Sequence, residues 1–292
     1  MWGEMNVLNP AIDFQPAYVL HTRPYRETSL IVDCFTANFG RISLVAKGAK
    51  RKKSSQVSLL TPLLPIHITW SGRGELKSLR DVEVAQYRTV SMGLGYYCVM
   101  YVNELLLRLV PKEEVLSSLF MAYNHFVILA SATDLASQQL AWFTEQLRRL
   151  EFLLLNVLGV GVNFHCQPLT GISIQPNLYY WFDVENGFVE ATSVKTEAIL
   201  SKSASEHYKI VQGRDIFLGE QLLQIGDFLQ NQNEMIVPSK GNKEAYLTHL
   251  SAPARHCAKR IAHLAIMARL GDRPLKSQAL LRKVWHTFKD SS

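Results

Sequence analysis

The sequence predicts an α+β fold, a small β-barrel followed by a mainly helical chain, on three observations. Five short stretches between residues 17 and 84 place apolar, β-branched and aromatic residues at alternating positions. Beyond Val90 the apolar spacing changes from two to three or four, the period of helices packed on one face. With 292 residues, 48% of them hydrophobic, the chain can bury a large core and divide into two or three domains.

The strands are expected at Ala17–Arg23, Ser29–Phe35, Arg41–Ala46, Leu64–Trp70 and Glu75–Val84. Turn chemistry separates them at Asn38-Phe39-Gly40 and at Ser71-Gly72-Arg73-Gly74, while Lys47–Ser58 reads as a longer charged loop. An OB-type barrel of about 70 residues fits this count.

The first helix carries Leu94, Cys98, Tyr101, Val102, Leu105 and Leu109 on one face and stops before Pro111. A second runs from about Gln139 to Leu158, with Leu140, Phe143, Leu147, Leu150, Leu154 and Val157 as its apolar stripe. Its opposite side shows Glu145, Arg148, Arg149 and Glu151, which reads as a polar face. From Asn163 to Glu190 the helical period vanishes. There Tyr179–Val184 meets Phe188-Val189 through Glu185-Asn186-Gly187, the pattern of a hairpin. Helical patterning then returns, with one helix from about Pro253 to Leu270, stopped by Gly271 and Pro274, and a last one at about Ser277–Phe288. The expected divisions are 1–88 for the barrel, 89–162 and 193–292 for two parts of a helical domain, and 163–192 for the hairpin subdomain.

Charge is distributed unevenly. Residues 1–80 hold 11 Lys and Arg against 5 Asp and Glu, and residues 255–292 hold 9 against 2, which leaves the middle with 11 against 18. Two basic ends around an acidic middle suit a polyanion partner such as nucleic acid. The alternative for any one basic run is a solvated surface.

Several chemistries lack their residues. Cys34, Cys98, Cys166 and Cys257 form no C-x-x-C pair, which argues against a disulfide framework and a thiolate zinc site. No P-loop is present, and Gly72-Arg73-Gly74 lacks the third glycine and following helix of a dinucleotide loop. His249, His256 and His263 recur every seventh residue without a carboxylate or cysteine at ligand spacing, so packing or surface roles are expected. Lys47 has no neighbouring carboxylate or nucleotide loop that would suit covalent adenylation. The expectation is a non-enzyme without cofactor. The N-terminal residues lack a basic region followed by an apolar one, and the longest apolar run, Phe152–Val162, falls short of the roughly 20 residues a bilayer crossing needs. A cytoplasmic, nucleoid-associated location is therefore expected.

The string Ala17-Tyr18-Val19-Leu20-His21-Thr22-Arg23-Pro24-Tyr25-Arg26-Glu27-Thr28-Ser29, followed by Phe39-Gly40-Arg41 and Lys47-Gly48-Ala49-Lys50, resembles the RecO family of bacterial recombination mediators. The likeness continues through Ser71-Gly72-Arg73-Gly74-Glu75-Leu76, Leu158-Gly159-Val160-Gly161-Val162-Asn163 and Leu270-Gly271-Asp272-Arg273-Pro274-Leu275-Lys276-Ser277. It implies an N-terminal OB domain, a helical middle and a small third subdomain. It also implies a DNA repair and recombination role: annealing complementary single strands, engaging single-stranded DNA-binding protein, and working with RecR to place RecA. Many members hold zinc through paired cysteines in the third subdomain, whereas this chain keeps only Cys166 in His165-Cys166-Gln167-Pro168-Leu169-Thr170-Gly171. The hairpin is thus expected to be zinc-finger-like without the metal, held by aromatic burial.

Lysine and arginine neutralise phosphates and release counterions, with affinity that falls steeply with salt and little sequence preference. Lys47, Lys50, Arg51, Lys52 and Lys53 are the first candidates for single- and double-stranded DNA. Arg23, Arg26, Arg41, Arg73 and Lys77 follow, because strand ends and barrel loops form the usual nucleic-acid face of an OB fold. Tyr25, Phe39 and Trp70 are candidate stacking platforms. The resemblance implies docking of the acidic, apolar C-terminal tail of single-stranded DNA-binding protein, for which Arg148, Arg149 and Phe152 are the candidates. The alternative to a recombination mediator is a general OB-type nucleic-acid-binding or chaperone module without those partners.

Overall fold

The computed structural model describes residues 14–51, 56–86, 93–132, 137–191, 209–211, 214–231 and 249–290. They fall into two compact units, one ending at residue 132 and resuming at Leu275, the other lying between them.

The first unit begins with strands β1 (Gln15–Tyr25), β2 (Ser29–Thr36), β3 (Gly40–Ala46), β4 (Pro65–Ser71) and β5 (Leu76–Val84). They close into a barrel in the order β1-β2-β3-β5-β4, as the alternating pattern predicts. All pairs are antiparallel except β3 with β5, which run parallel where Ser43–Val45 meet Leu76–Ser78. Val19, Val32, Ile42, Leu44, Ile66, Ile68 and Trp70 fill the interior. A bulge between Val19 and His21 bends β1 and changes the aim of the residues after it.

Ala17–Leu20 of β1 and most of β2 are buried on both faces because helices cover that part of the outside, whereas His21, Arg23 and Pro24 of β1 are exposed. Helix α1 (Gln56–Leu59) is one turn in the connection that the sequence presents as loop, and α2 (Leu94–Leu109) follows the barrel. The helix α3 (Ser117–Ala132) has no counterpart in the periodicity reading. Its residues are apolar almost all round, so no single stripe announces it. The Tyr18 ring meets Tyr123 edge-on at 5.2 Å, and its hydroxyl donates to Asn124 Oδ1 at 2.7 Å. Tyr123 in turn donates to Asn103 Oδ1 at 2.6 Å, tying α3 to α2. The unit ends with α7 (Lys276–Asp290), packed on α2.

The second unit holds α4 (Ser137–Val157), strands β6 (Tyr179–Asp183), β7 (Gly187–Glu190), β8 (Lys209–Val211) and β9 (Arg214–Leu218), then α5 (Gly219–Gln230) and α6 (Ala252–Leu270). The expected β6–β7 hairpin is present, with Asp183 Oδ1 accepting the amides of Glu185 at 2.9 Å and Asn186 at 2.8 Å across its turn. It is not isolated. β9 and β8 extend it into a four-stranded sheet in the order β7-β6-β9-β8, where the sequence suggests only helix. The hairpin therefore shares one unit with the helices around it, and the boundaries expected at 162 and 192 fall inside that unit.

The presumed polar face of α4 is buried: Glu145, Arg149 and Glu151 are all nearly inaccessible. Glu145 accepts the amides of His249 at 3.0 Å and Leu250 at 3.2 Å, with Arg255 close by. Burial pushes its carboxyl pKa up, although those amides and Arg255 favour the anion.

Candidate nucleic-acid interface

Two turns meet at one end of the barrel. The β1–β2 turn carries Arg26-Glu27-Thr28, and the turn after β3 carries Lys47-Gly48-Ala49-Lys50-Arg51. The register places Leu30 opposite Ala46, so both turns leave neighbouring strands at the same level. A hydrogen bond from Lys50 N to Thr28 O at 2.9 Å joins them. Gly48 adopts φ 70° and Arg51 N returns to Gly48 O at 3.0 Å, which closes the second turn. Ala49 is the plug: it is wholly buried in the barrel core and leaves Lys47, Lys50 and Arg51 exposed around it.

Arg26 stands in the left-handed region at φ 52°, where glycine or asparagine would be favoured. Its guanidinium lies 5.2 Å from the Tyr25 ring centre, over the ring face. Arg23, further back on β1, has 54% of its side chain exposed and faces Asp33 Oδ2 at 3.7 Å. This end thus gathers Arg23, Arg26, Lys47, Lys50 and Arg51 against Glu27, an exposed cationic surface of the kind that binds phosphates.

The other predicted contacts divide. Arg73 is exposed in the β4–β5 loop. Arg41 is half-buried, its Nε donating to Val110 O at 2.8 Å, and burial lowers its pKa. Lys77 is buried and ion-paired to Glu113, so its charge is spent inside the unit. Trp70 corrects the expectation of a stacking platform, because it has no exposed surface and belongs to the barrel core. Phe39 packs edge-on against it at 5.1 Å and keeps 36% exposure. Lys52 and Lys53 lie outside the described residues.

The expected peptide-docking trio is also corrected. The Arg149 guanidinium stacks 3.8 Å from the Phe228 ring centre and donates to Asn231 O at 3.0 Å. Arg148 pairs with Glu151 one turn along the helix, and Phe152 is buried against Phe164 at 5.2 Å. These side chains are engaged within the second unit.

Two residues escaped the sequence reading. Arg80, exposed on β5, donates from Nε to Ser71 Oγ at 2.6 Å. Asp33 is an acid inside the apolar run Ile31-Val32-Asp33-Cys34-Phe35, and that interruption was its available signal.

In the turn after α4 the polar groups around Cys166 bond to one another. Asn163 Oδ1 accepts the amides of His165 at 2.9 Å and Cys166 at 3.1 Å, and Cys166 Sγ accepts from Asn163 Nδ2 at 3.1 Å. Among the described residues no group of three or more His, Cys, Asp or Glu could hold a metal ion. Also among them, no helix is long and apolar enough to cross a membrane.

The closed barrel, the helices on its outer face and the separate sheet-and-helix unit define an α+β protein led by an OB domain. Residues 14–88 match the family model described as Recombination protein O N terminal. The DNA repair protein RecO of Nitrosococcus oceani is 41% identical over 185 residues, spanning 63% of this chain and 72% of that protein. Those of Tolumonas auensis and Serratia proteamaculans are 35% and 33% identical, each over 92% of this chain and covering 94% and 93% of their own lengths. The chain belongs to the RecO family of DNA repair proteins.

Proposed function

We propose that this protein is a recombination mediator that binds single- and double-stranded DNA at the cationic end of its barrel. It anneals complementary strands coated by single-stranded DNA-binding protein and helps RecR load RecA. The observation that carries the reading is the pair of hydrogen-bonded turns that presents Arg26, Lys47, Lys50 and Arg51 on one exposed surface. Membership of a DNA repair family supports it.

Annealing needs little more than this chemistry. Two polyanions repel, and a cationic surface that displaces their counterions lowers the cost of bringing them together. No covalent bond changes in such a role. The partner contacts rest on the family likeness alone, since Arg148, Arg149 and Phe152 are engaged inside their own unit.

The test mixes two complementary oligonucleotides, each coated with single-stranded DNA-binding protein, and follows duplex formation without ATP. Acceleration by the protein is the expected result. Binding to naked strands without acceleration on coated ones would favour the general OB-type module, and no binding to either would end the DNA reading.

A further inference from the structure

Asp33 sits in mid-β2 on the face turned away from the barrel interior, since its neighbours Val32 and Cys34 belong to the core. Only 3% of its surface is exposed, so its carboxylate requires nearby compensation. The register sets it between His21 on β1 and Ser43 on β3. Oδ1 accepts the Ser43 hydroxyl at 2.6 Å. Oδ2 is enclosed without a hydrogen-bond donor in reach among the described residues. Its ion-pair partner is the Arg23 guanidinium, at 3.7 Å.

A bidentate, hydrogen-bonded arginine would be locked in place. Arg23 is held instead by charge across a longer gap, with more than half of its side chain in water. Arg41, on the other flank, is already committed to Val110 O. A phosphate approaching this face therefore meets one arginine that can move and a carboxylate that is left with the charge of Arg41 and the Ser43 hydroxyl when it does.

We infer that Asp33 is a resident counter-ion for Arg23, competing with nucleic-acid phosphate for the same guanidinium and limiting how tightly the barrel holds a strand. The inference rests on the DNA-binding reading above and adds a control on its affinity. Removing the Arg23 charge from buried Asp33, which keeps only Ser43 and the more distant charge of Arg41, opposes the bound state. A weaker grip on each strand suits a protein that must release the paired product.

Asp33→Asn removes the charge while keeping an oxygen for Ser43 and the same shape. The experiment measures anisotropy of a fluorescent oligo-dT across a salt series for the full-length wild type, Asp33→Asn, Arg23→Ala and the double variant. Asp33→Asn is expected to tighten binding roughly three- to tenfold at low salt and to steepen the log–log salt slope by about 0.7. That gain disappears in the Arg23→Ala background. Unchanged or weaker binding by folded Asp33→Asn, or a gain that survives without Arg23, overturns the inference.

Should Asp33→Asn not fold, Arg23→Gln against Arg26→Gln answers the same question. Arg23, which already faces Asp33, is expected to cost less affinity on removal than Arg26, and an equal or greater loss overturns the inference. A wild type that fails to bind oligo-dT at low salt is a different result, and it removes the DNA-binding reading itself.

Discussion

Lys50 donates its backbone N–H to the carbonyl of Thr28 at 2.9 Å, so the basic turn after β3 is fastened to the turn between β1 and β2. Because the bond uses main-chain atoms, the Lys50 side chain can be removed without loosening the turn. Lys50→Ala/Arg51→Ala is expected to keep the melting temperature of the wild type. Its log–log salt slope for single-stranded DNA should fall by about 1.4, two cations at roughly 0.7 each. A salt titration with a thermal melt on the same preparation checks both parts, and an unchanged slope would remove these residues from the interface.

Trp70 should behave as a core residue. Its ring is enclosed by the barrel interior, so Trp70→Ala is expected to destabilise the protein by about 3–5 kcal/mol. Denaturant unfolding gives the stability loss. Oligonucleotide titration of the fraction that remains folded should give wild-type affinity, and a selective loss of binding at unchanged stability would restore the stacking role.

Gly40 joins the barrel to the chain that follows α2. It adopts φ 63°, and a Cβ there would stand 1.9 Å from Glu114 O, while Glu113 N donates to Arg41 O at 2.9 Å beside it. Gly40→Ala combines a left-handed backbone with a collision against main chain, which cannot rotate away as a side-chain tip could. A loss of at least about 2 kcal/mol in denaturant unfolding is expected. A loss of a few tenths would mean that the 113–114 segment does not lie against the strand.

The barrel was legible because each strand needs only local information: alternation for the faces, and Asn38–Gly40 or Ser71–Gly74 for the ends. Helix α3 was not, since burial on nearly every side erases the periodicity by which a half-buried helix is recognised. Short β9 depends on pairing with β6, and β8 on pairing with β9, rather than on a pattern of their own. The same limit explains the misreading of α4. Glu145 is satisfied by residues 104 and 105 positions away and Arg149 by one 82 positions away, distances at which the local sequence shows only charged residues on one side of a helix. The basic turn was readable as charge, whereas the burial of Lys77 depends on Glu113, which arrives only after α2.

Acid should loosen the start of α7 through Glu104. Burial raises its pKa, but the Ser277 hydroxyl, the amides of Ser277 and Lys276, and nearby Arg108 outweigh that effect and hold it below the ordinary value of 4.5. A depressed carboxyl stabilises the fold above its unfolded value and loses that contribution as pH falls through the folded one. The stability gap between wild type and Glu104→Gln is therefore expected to be largest near neutrality and to close as pH falls below about 4.5. Urea unfolding of both proteins across pH 3–7 checks this. A gap that widens in acid would contradict the assigned sign.

Arg26 sets stability against binding at a single position. At φ 52° an arginine carries a backbone penalty that glycine does not, yet the guanidinium sits over Tyr25 on the cationic surface. Arg26→Gly is expected to gain about 0.5–1 kcal/mol from the relieved backbone, less whatever the ring contact contributed and the added freedom of the unfolded chain. Its DNA affinity should fall, with a salt slope lower by about 0.7. Arg26→Lys separates the causes: it keeps the charge and the strain, so it should bind nearly as well as wild type and melt no higher. If the glycine variant bound DNA normally, the strained conformation would have no connection to the interface, and the turn's charge would have to reside on the Lys47–Arg51 side alone.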